Sequence, residues 1–177
     1  GNTREEVVEK LELLMKKAGT GVQDRKTVAA ANTKAEVTGE PASAIELADG
    51  SVVTGKTSEL MGATSAMLLN ALKKLAGLPD ELRLISPSVI EPIQQLKIKH
   101  LGNHNPNLHI AEMLIALTIC AGTDENAAKV VAKLDELKGC EAHSSVILSS
   151  EDQRTLAKLG INLTCEPKYQ TKKLFHN

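Results

Sequence analysis

The sequence predicts a helix-rich α/β domain with a small mixed sheet, and three observations support this. The segment "ASAIELADGSVVTG" has the pattern of a strand, an Asp49-Gly50 turn and a returning strand. Near the end, "HSSVILSSEDQRTLAKLGINLTCEP" has the pattern of a strand, a serine-capped helix and a second strand. That spacing is typical of a βαβ unit with parallel strands. Between these segments, apolar residues recur at helical spacing.

Two helices are predicted before the sheet. The first, "TREEVVEKLELLMKKAG", opens with a capping box formed by Thr3 and Glu6 and ends at Gly19. The second is rich in alanine and runs over residues 24–37. We expect a helical hairpin over residues 1–40, either part of the same domain or an appendage, and an α/β body over residues 41–177.

Three further helical segments carry recognisable boundaries. A helix capped by Thr57 or Ser58 is expected to follow the returning strand, and Ser86-Pro87 marks the start of another. The segment "LHIAEMLIALTICAG" is apolar nearly all round, which predicts a buried helix.

Composition argues against two classes of partner. Lys and Arg number 21 against 22 for Asp and Glu, so no net field favours nucleic acid or an anionic membrane. The chain has no Trp, and its two other aromatic residues, Tyr169 and Phe175, lie in the C-terminal tail. Because single-stranded nucleic acid usually stacks on aromatic rings, we expect no nucleic-acid ligand.

The cysteines indicate a reducing compartment. Cys120, Cys140 and Cys165 are odd in number and lack a tight spacing, unlike a secreted disulfide scaffold. No signal-peptide pattern is seen at the start, and no apolar run reaches the roughly 18 residues of a membrane span. We therefore expect a cytoplasmic location.

The stretch "DGSVVTGKTSE" matches the spacing of a Walker A phosphate loop, G-x-x-x-x-G-K-[ST]. Its interior residues are largely β-branched, and such residues favour extended backbone over an amide cradle. Asp49-Gly50 is also a strong hairpin turn signal. A hairpin followed by a helix is the preferred interpretation.

The end of the same stretch still predicts a weaker anion site, even if the stretch is a hairpin followed by a helix. Lys56, Thr57 and Ser58 are expected at a helix start, where free amides and the helix dipole favour negative groups. We predict these three residues as candidate ligand-binding or cofactor-binding residues, with the cofactor unknown. The competing interpretation is that Thr57 or Ser58 simply caps the helix and Lys56 is solvated.

Candidate catalytic residues lie near the C-terminal strands. Cys140 and His143 could form a thiolate pair, and Glu166 could join them in proton transfer. Cys140 and His143 could alternatively supply two zinc ligands, but no second matched pair follows at zinc spacing. We predict no metal site.

Four blocks carry a resemblance to a known family: "KLELLMKKAG", "VTGKTSELMGATSAMLLNALKKLAG", "LISPSVIEPIQQLK" and "GCEAHSSVILSSEDQRTLAKLGINLTCEPKYQ". With them, essentially the whole chain resembles the C-terminal part of the bacterial family catalogued as domain of unknown function 1846. The resemblance implies a piece of a longer cytoplasmic bacterial protein, whose N-terminal part carries a glycine-rich segment similar to a phosphate loop. Some members are labelled ATP-dependent peptidases. No motif here, such as His-Glu-x-x-His, supports that activity.

Two functions are therefore expected from the sequence. In the first, the domain binds a small anionic ligand, phosphorylated or carboxylated, and works with the N-terminal nucleotide-binding portion of the longer protein. In the second, it is an accessory or oligomerisation domain without chemistry of its own. Its N-terminal helices would then meet a second copy of the chain or the N-terminal portion.

Overall fold

The computed structural model describes residues 2–17, 19, 21 and 24–169. Within them the chain forms a helix-rich α/β structure, as predicted. The helices are α1 (Asn2–Lys17), α2 (Lys26–Thr38), α3 (Ala63–Leu75), α4 (Pro87–Lys99), α5 (Ile110–Ala121), α6 (Glu125–Val131) and α7 (Ser150–Lys158), with a 3-10 helix at Leu134–Leu137. The strands are β1 (Ala42–Glu46), β2 (Val52–Lys56), β3 (Glu141–Ser144) and β4 (Asn162–Cys165). The predicted capping box at Thr3 and Glu6 lies outside the described side chains.

The sheet is mixed and has the order β2-β1-β3-β4. Strand β1 pairs antiparallel with both β2 and β3, whereas β3 and β4 run parallel and are joined through α7. The hairpin interpretation is confirmed: Glu46 pairs with Val52, and Gly50 takes a positive φ of 78° in the turn. Because residues 52–56 form a paired strand, they cannot wrap around phosphate, and the Walker A alternative is wrong.

One face of the sheet forms the main hydrophobic core. Ile45, Val53 and Ala142 share that face and pack with the buried side of α3. Helix α3 crosses β2 so closely that a Cβ on Gly55 would lie 2.1 Å from the backbone nitrogen of Met67. A residue without a side chain is therefore required at this crossing.

The opposite face of the sheet is covered by α2. Side chains alternate across a strand, so His143 and Thr164 point away from the core toward this helix. Val28 and Ala31 of α2 are fully buried there. Three polar links also join α2 to the sheet side: Lys26 to Glu46 (2.7 Å), Arg25 to Glu141, and Asn32 to Glu166 (2.9 Å).

The predicted start of the third helix is wrong. Helix α3 begins at Ala63 with Gly62 as its N-cap, so Thr57 and Ser58 lie in the preceding connection. That connection pairs with a distant segment: Met61 forms a parallel bridge with Leu108, whose carbonyl accepts from the Gly62 amide. Long-range backbone pairing of residues 60–62 therefore takes the place of a first helical turn.

Helix α5 is buried on one side only. Met113 and Leu117 are fully buried, but Ile115 and Ile119 are 60% and 58% exposed. The prediction of burial all round is therefore wrong. Among the described residues, no helix combines the length and apolarity needed to cross a membrane.

Candidate functional site

The amides near Lys56 are already used by the protein. Lys56 ends β2 with an exposed side chain, and the Thr57 amide donates to the Pro41 carbonyl at 2.9 Å. The Ser58 amide donates to the Met61 carbonyl at 3.1 Å. Thr57 Oγ1 is buried and has no hydrogen-bond partner among the described residues. Free helix-start amides, the basis of the predicted anion site, are therefore absent from the described segment 56–58.

Lys56 and Ser58 nevertheless line a cleft between α3, α4 and the connection at residues 80–85. We call it the Lys73 cleft. Its volume is about 360 Å³, and its charged lining residues are Lys56, Lys73, Arg83, Asp80, Glu81 and Glu91. Thr57 does not line it.

Lys73 is the unusual charge in this cleft. Its side chain is buried, with 6% of the residue exposed, and its ammonium donates to the backbone carbonyl of Asp80 at 2.7 Å. Among the described residues, no carboxylate oxygen lies within 4.0 Å of Lys73 Nζ. Burial lowers the pKa of Lys73, opposed by the carboxylates of Asp80 and Glu81. This ammonium is thus desolvated without direct pairing to an anion.

A second cavity, the His143 cavity, opens between the α2 side of the sheet and the segment leading into α2. Its volume is about 770 Å³, and its lining includes Asp24, Arg25, His143, Thr164, Cys165 and Glu166. It lies at the C-terminal ends of the parallel strands, where α/β proteins often bind ligands.

His143 and Glu166 meet in this cavity. The imidazole Nε2 lies 3.4 Å from Glu166 Oε1, and the other ring nitrogen, Nδ1, lies 2.8 Å from Thr164 Oγ1. Burial lowers the pKa of His143, against the attraction of Glu166, and the nearby Arg25 lowers it further. The asparagine at position 32 donates to Glu166, which lowers the pKa of that carboxyl. A neutral imidazole therefore faces an ionised carboxylate.

Cys140 does not join this pair. It belongs to the hydrophobic core, and its thiol contacts the carbonyl of Glu136 at 3.8 Å. Burial raises the pKa of Cys140, and Glu141 adds to the effect. The predicted Cys140–His143 thiolate pair is wrong, because one side chain lies in the core and the other on the face under α2.

The two predicted sets of site residues also do not converge. Lys56 and Ser58 line the Lys73 cleft, whereas His143 and Glu166 line the His143 cavity. Within the described part of the chain, no group of three or more His, Cys, Asp or Glu side chains is placed to hold a metal ion.

Sequence reasoning missed Lys73, Arg25 and Thr164. Lys73 follows the buried Leu69 by four residues, so the helical spacing alone predicts a lysine on the apolar side of α3. Arg25 and Thr164, which meet at 3.2 Å, are 139 positions apart, and neither has a local pattern that would pair them.

Comparison with known proteins places the chain in a family. The family described as Domain of unknown function DUF1846, C-terminal, matches residues 23–175. A UPF0371 protein of Corynebacterium urealyticum is 51% identical over 98% of this chain, and one of Streptococcus thermophilus is 53% identical over 97%. A UPF0371 protein of Streptococcus pyogenes is 52% identical over 97%.

In each of these relatives the match covers 35% of the relative's length. The chain therefore spans about a third of the length of these relatives. Given the extent of the family match over both the sheet and its helices, this chain belongs to the DUF1846 family, as its C-terminal domain.

Proposed function

We propose that this domain binds a small anionic ligand, phosphorylated or carboxylated, in the Lys73 cleft. The observation that supports the proposal is the buried Lys73 ammonium, which has a backbone carbonyl but no carboxylate as its close partner. Lys56 and Arg83 add two further cations to the same walls. An anion entering the cleft would pair with a charge that has already lost most of its hydration.

The acidic lining sets the selectivity of this site. Three acidic lining residues, Asp80, Glu81 and Glu91, equal the three cationic ones in number. The cleft therefore has no excess positive charge, and an anion is attracted only close to the Lys73 ammonium. A compact phosphate or carboxylate group can approach one ammonium while avoiding the carboxylates. We therefore propose a small ligand rather than a polyanion.

The proposal includes a division of labour in the longer protein. The nucleotide-binding part would lie in the remaining two-thirds of the relatives' length, and this domain would present the anionic ligand to it. The three cysteines are free, which is in keeping with the cytoplasmic location that we propose.

Calorimetric titration tests this site with inorganic phosphate, citrate and glucose 6-phosphate as probes, and with glucose as the uncharged control. Lys73→Met removes the ammonium and keeps an apolar stem, and it should weaken anion binding about tenfold or more. Lys74→Met is the matched control, because Lys74 is the next residue of α3 and is exposed. Equal affinities for both variants, or no binding of any anion to the wild type, would exclude the proposal.

An accessory or oligomerisation role is the second candidate. Val7, Leu13 and Leu14 of α1 are each more than half exposed, as is a pair of isoleucines on α5, Ile115 and Ile119. Apolar side chains in such numbers mark surfaces that are often covered by a partner.

The chain without residues 1–19 tests this role by light scattering. Such a truncation removes α1 and leaves α2, which carries buried contacts to the sheet. A lower mass for the truncated particle, beyond the loss of 19 residues per chain, identifies α1 as an assembly element. The same number of chains per particle in both proteins would count against it.

A further inference from the structure

The contacts of Thr164 favour one tautomer of the neutral His143 imidazole. Thr164 Oγ1 lies 2.8 Å from His143 Nδ1, 3.2 Å from Arg25 Nη1 and 3.4 Å from the carbonyl of Ala142. A hydroxyl has two acceptor sites and one proton to donate. Arg25 can only donate and the carbonyl can only accept, so satisfying all three contacts requires His143 Nδ1–H to donate to the hydroxyl.

This arrangement leaves His143 Nε2 as a bare lone pair. The nitrogen is buried, and it has no hydrogen-bond partner among the described residues. Its neighbour at 3.4 Å, Glu166 Oε1, is a carboxylate oxygen and also an acceptor. Glu166 is partly exposed and its Oε1 also accepts from Asn32 at 2.9 Å, whereas the buried imidazole nitrogen has no donor in the described part of the chain. Two acceptors that face each other repel unless a donor lies near both.

The surroundings favour a positively charged donor. Of the charged groups lining the His143 cavity, Arg25 is ion-paired with Glu141, whereas Asp24 and Glu166 are acidic. Glu166 also lines an adjoining cavity of about 630 Å³, whose other charged lining residues are Glu36, Glu40 and Lys168. The two cavities thus share a carboxylate and form a predominantly acidic groove beside α2.

We propose that this groove binds a primary ammonium group, which donates to both His143 Nε2 and Glu166 Oε1. The inference concerns a site separate from the Lys73 cleft and of opposite charge preference. A primary ammonium has three donors on a compact head, so it can satisfy both acceptors at once. Its alkyl stem would lie along the apolar lining contributed by Met15 and Pro167.

The site predicts a characteristic pH dependence. Protonation of His143 would place a hydrogen and a positive charge where the ammonium must bind. The charged groups around the imidazole are Glu166, after β4, and Arg25, which immediately precedes α2 and is ion-paired with Glu141. Asp24 also lines the cavity. Burial lowers the pKa of His143 below its ordinary value of 6.5, so binding is expected to weaken as the pH falls from neutrality through that lowered pKa.

Nuclear magnetic resonance of the His143 imidazole measures this directly, with butylammonium as the probe and 1-butanol as its uncharged counterpart. Butylammonium should shift the imidazole signals in a saturable way, and 1-butanol should not. Glu166→Gln keeps an acceptor for Asn32 but removes the charge, and it should weaken butylammonium binding about tenfold. Glu125→Gln, an exposed position on α6 that lines neither cavity, is the matched control and should leave the affinity unchanged.

Two further arms separate possible sources of the ammonium group. Titration with 1,4-diaminobutane represents a free polyamine, and titration with Nα-acetyl-lysinamide represents a protein side chain. Tighter binding of one identifies the source. The proposal is overturned if neither these ligands nor butylammonium shifts the wild-type signals at millimolar concentration, or if binding strengthens as the pH is lowered. The wild-type measurements are decisive even if Glu166→Gln fails to fold.

Discussion

His109 Nδ1 lies 2.9 Å from Asp152 Oδ2, and this contact joins the start of α5 to the first turn of α7. The same carboxyl group accepts the backbone amide of Ile110 at 3.1 Å and the hydroxyl of Ser149 at 3.0 Å. Asp152 is buried and is therefore a junction between two helices. The contact with Asp152 raises the pKa of His109. Burial alone would raise the pKa of Asp152, but the hydrogen bonds from His109, Ile110 and Ser149 together lower it.

The first prediction is that this junction stabilises the fold most in mildly acidic solution. A raised His109 pKa contributes stability that is fully present below its ordinary value of 6.5 and is lost as the pH rises through the raised value. A lowered Asp152 pKa contributes stability that is present above 3.8 and is lost as the pH falls through the lowered value. Asp152→Asn should therefore cost about 2 kcal/mol between those limits and less on either side. Urea unfolding of both proteins across the pH range measures the difference, and a difference independent of pH would contradict the assignment.

The second prediction concerns the crossing of α3 and β2. Gly55→Ala places a methyl group against the backbone of Met67, which cannot rotate away as a flexible side chain could. The variant should lose about 3 kcal/mol or more of unfolding free energy, or fail to fold. Gly62→Ala is the control, because the nearest atom to its added Cβ lies 3.9 Å away. That change should cost about 1 kcal/mol or less, as expected for an N-cap position. Equal losses in the two variants would show that the crossing is looser than described.

The third prediction concerns a buried lysine between α4 and α5. Lys97 is 1% exposed, and its ammonium donates to Glu112 at 2.7 Å and to the Asn107 carbonyl at 2.5 Å. Lys97→Met removes the donor of the Asn107 carbonyl and the counter-charge of Glu112, which keeps only the His109 amide as a donor, so we expect a loss of about 3 kcal/mol. In the double variant with Glu112→Gln, part of this loss should be recovered, because the uncompensated carboxylate is gone. Chemical denaturation of the single and double variants measures the coupling, and strictly additive losses would rule out the pairing.

The fourth prediction is that Cys140 is unreactive in the native protein. Its thiol is buried, and burial raises its pKa, so little thiolate is available at neutral pH. Iodoacetamide should modify Cys140 slowly in buffer and rapidly in urea, with mass spectrometry of the peptides giving the rate at each site. Rapid native modification would restore Cys140 as a candidate nucleophile.

Local signals in the sequence were sufficient for elements that depend on neighbours in the chain. Asp49-Gly50 predicted the hairpin, and Ser86-Pro87 predicted the start of α4. The start of α3 was mispredicted because "TGKTSEL" has good capping residues, yet Met61 pairs with Leu108. A contact between segments nearly fifty residues apart has no local signature.

The candidate sites show the same difference between features with a local sequence signal and contacts that depend on the tertiary structure. The sequence predicts His143 and Glu166 as site residues because both are polar residues near strand ends. Their side chains do meet in the structure. The sequence does not predict the contact between Arg25 and Thr164, because that contact depends on how α2 lies across the sheet. The sequence also does not predict that Cys140 lies in the core, because a one-residue change of strand register decides which face of the sheet a side chain occupies.

The order of strands has a consequence for how the chain acquires its structure. Ser43 in β1 pairs with Ser144 in β3, about a hundred positions later, so the central pairing of the sheet is among its most distant. During synthesis the hairpin of β1 and β2 can form early, but it must wait for β3 to leave the ribosome. Until then its inner edge is unsatisfied and prone to pair with other chains. We therefore expect slow refolding from denaturant. We also expect aggregation to increase with the time for which the edge of β1 remains unpaired.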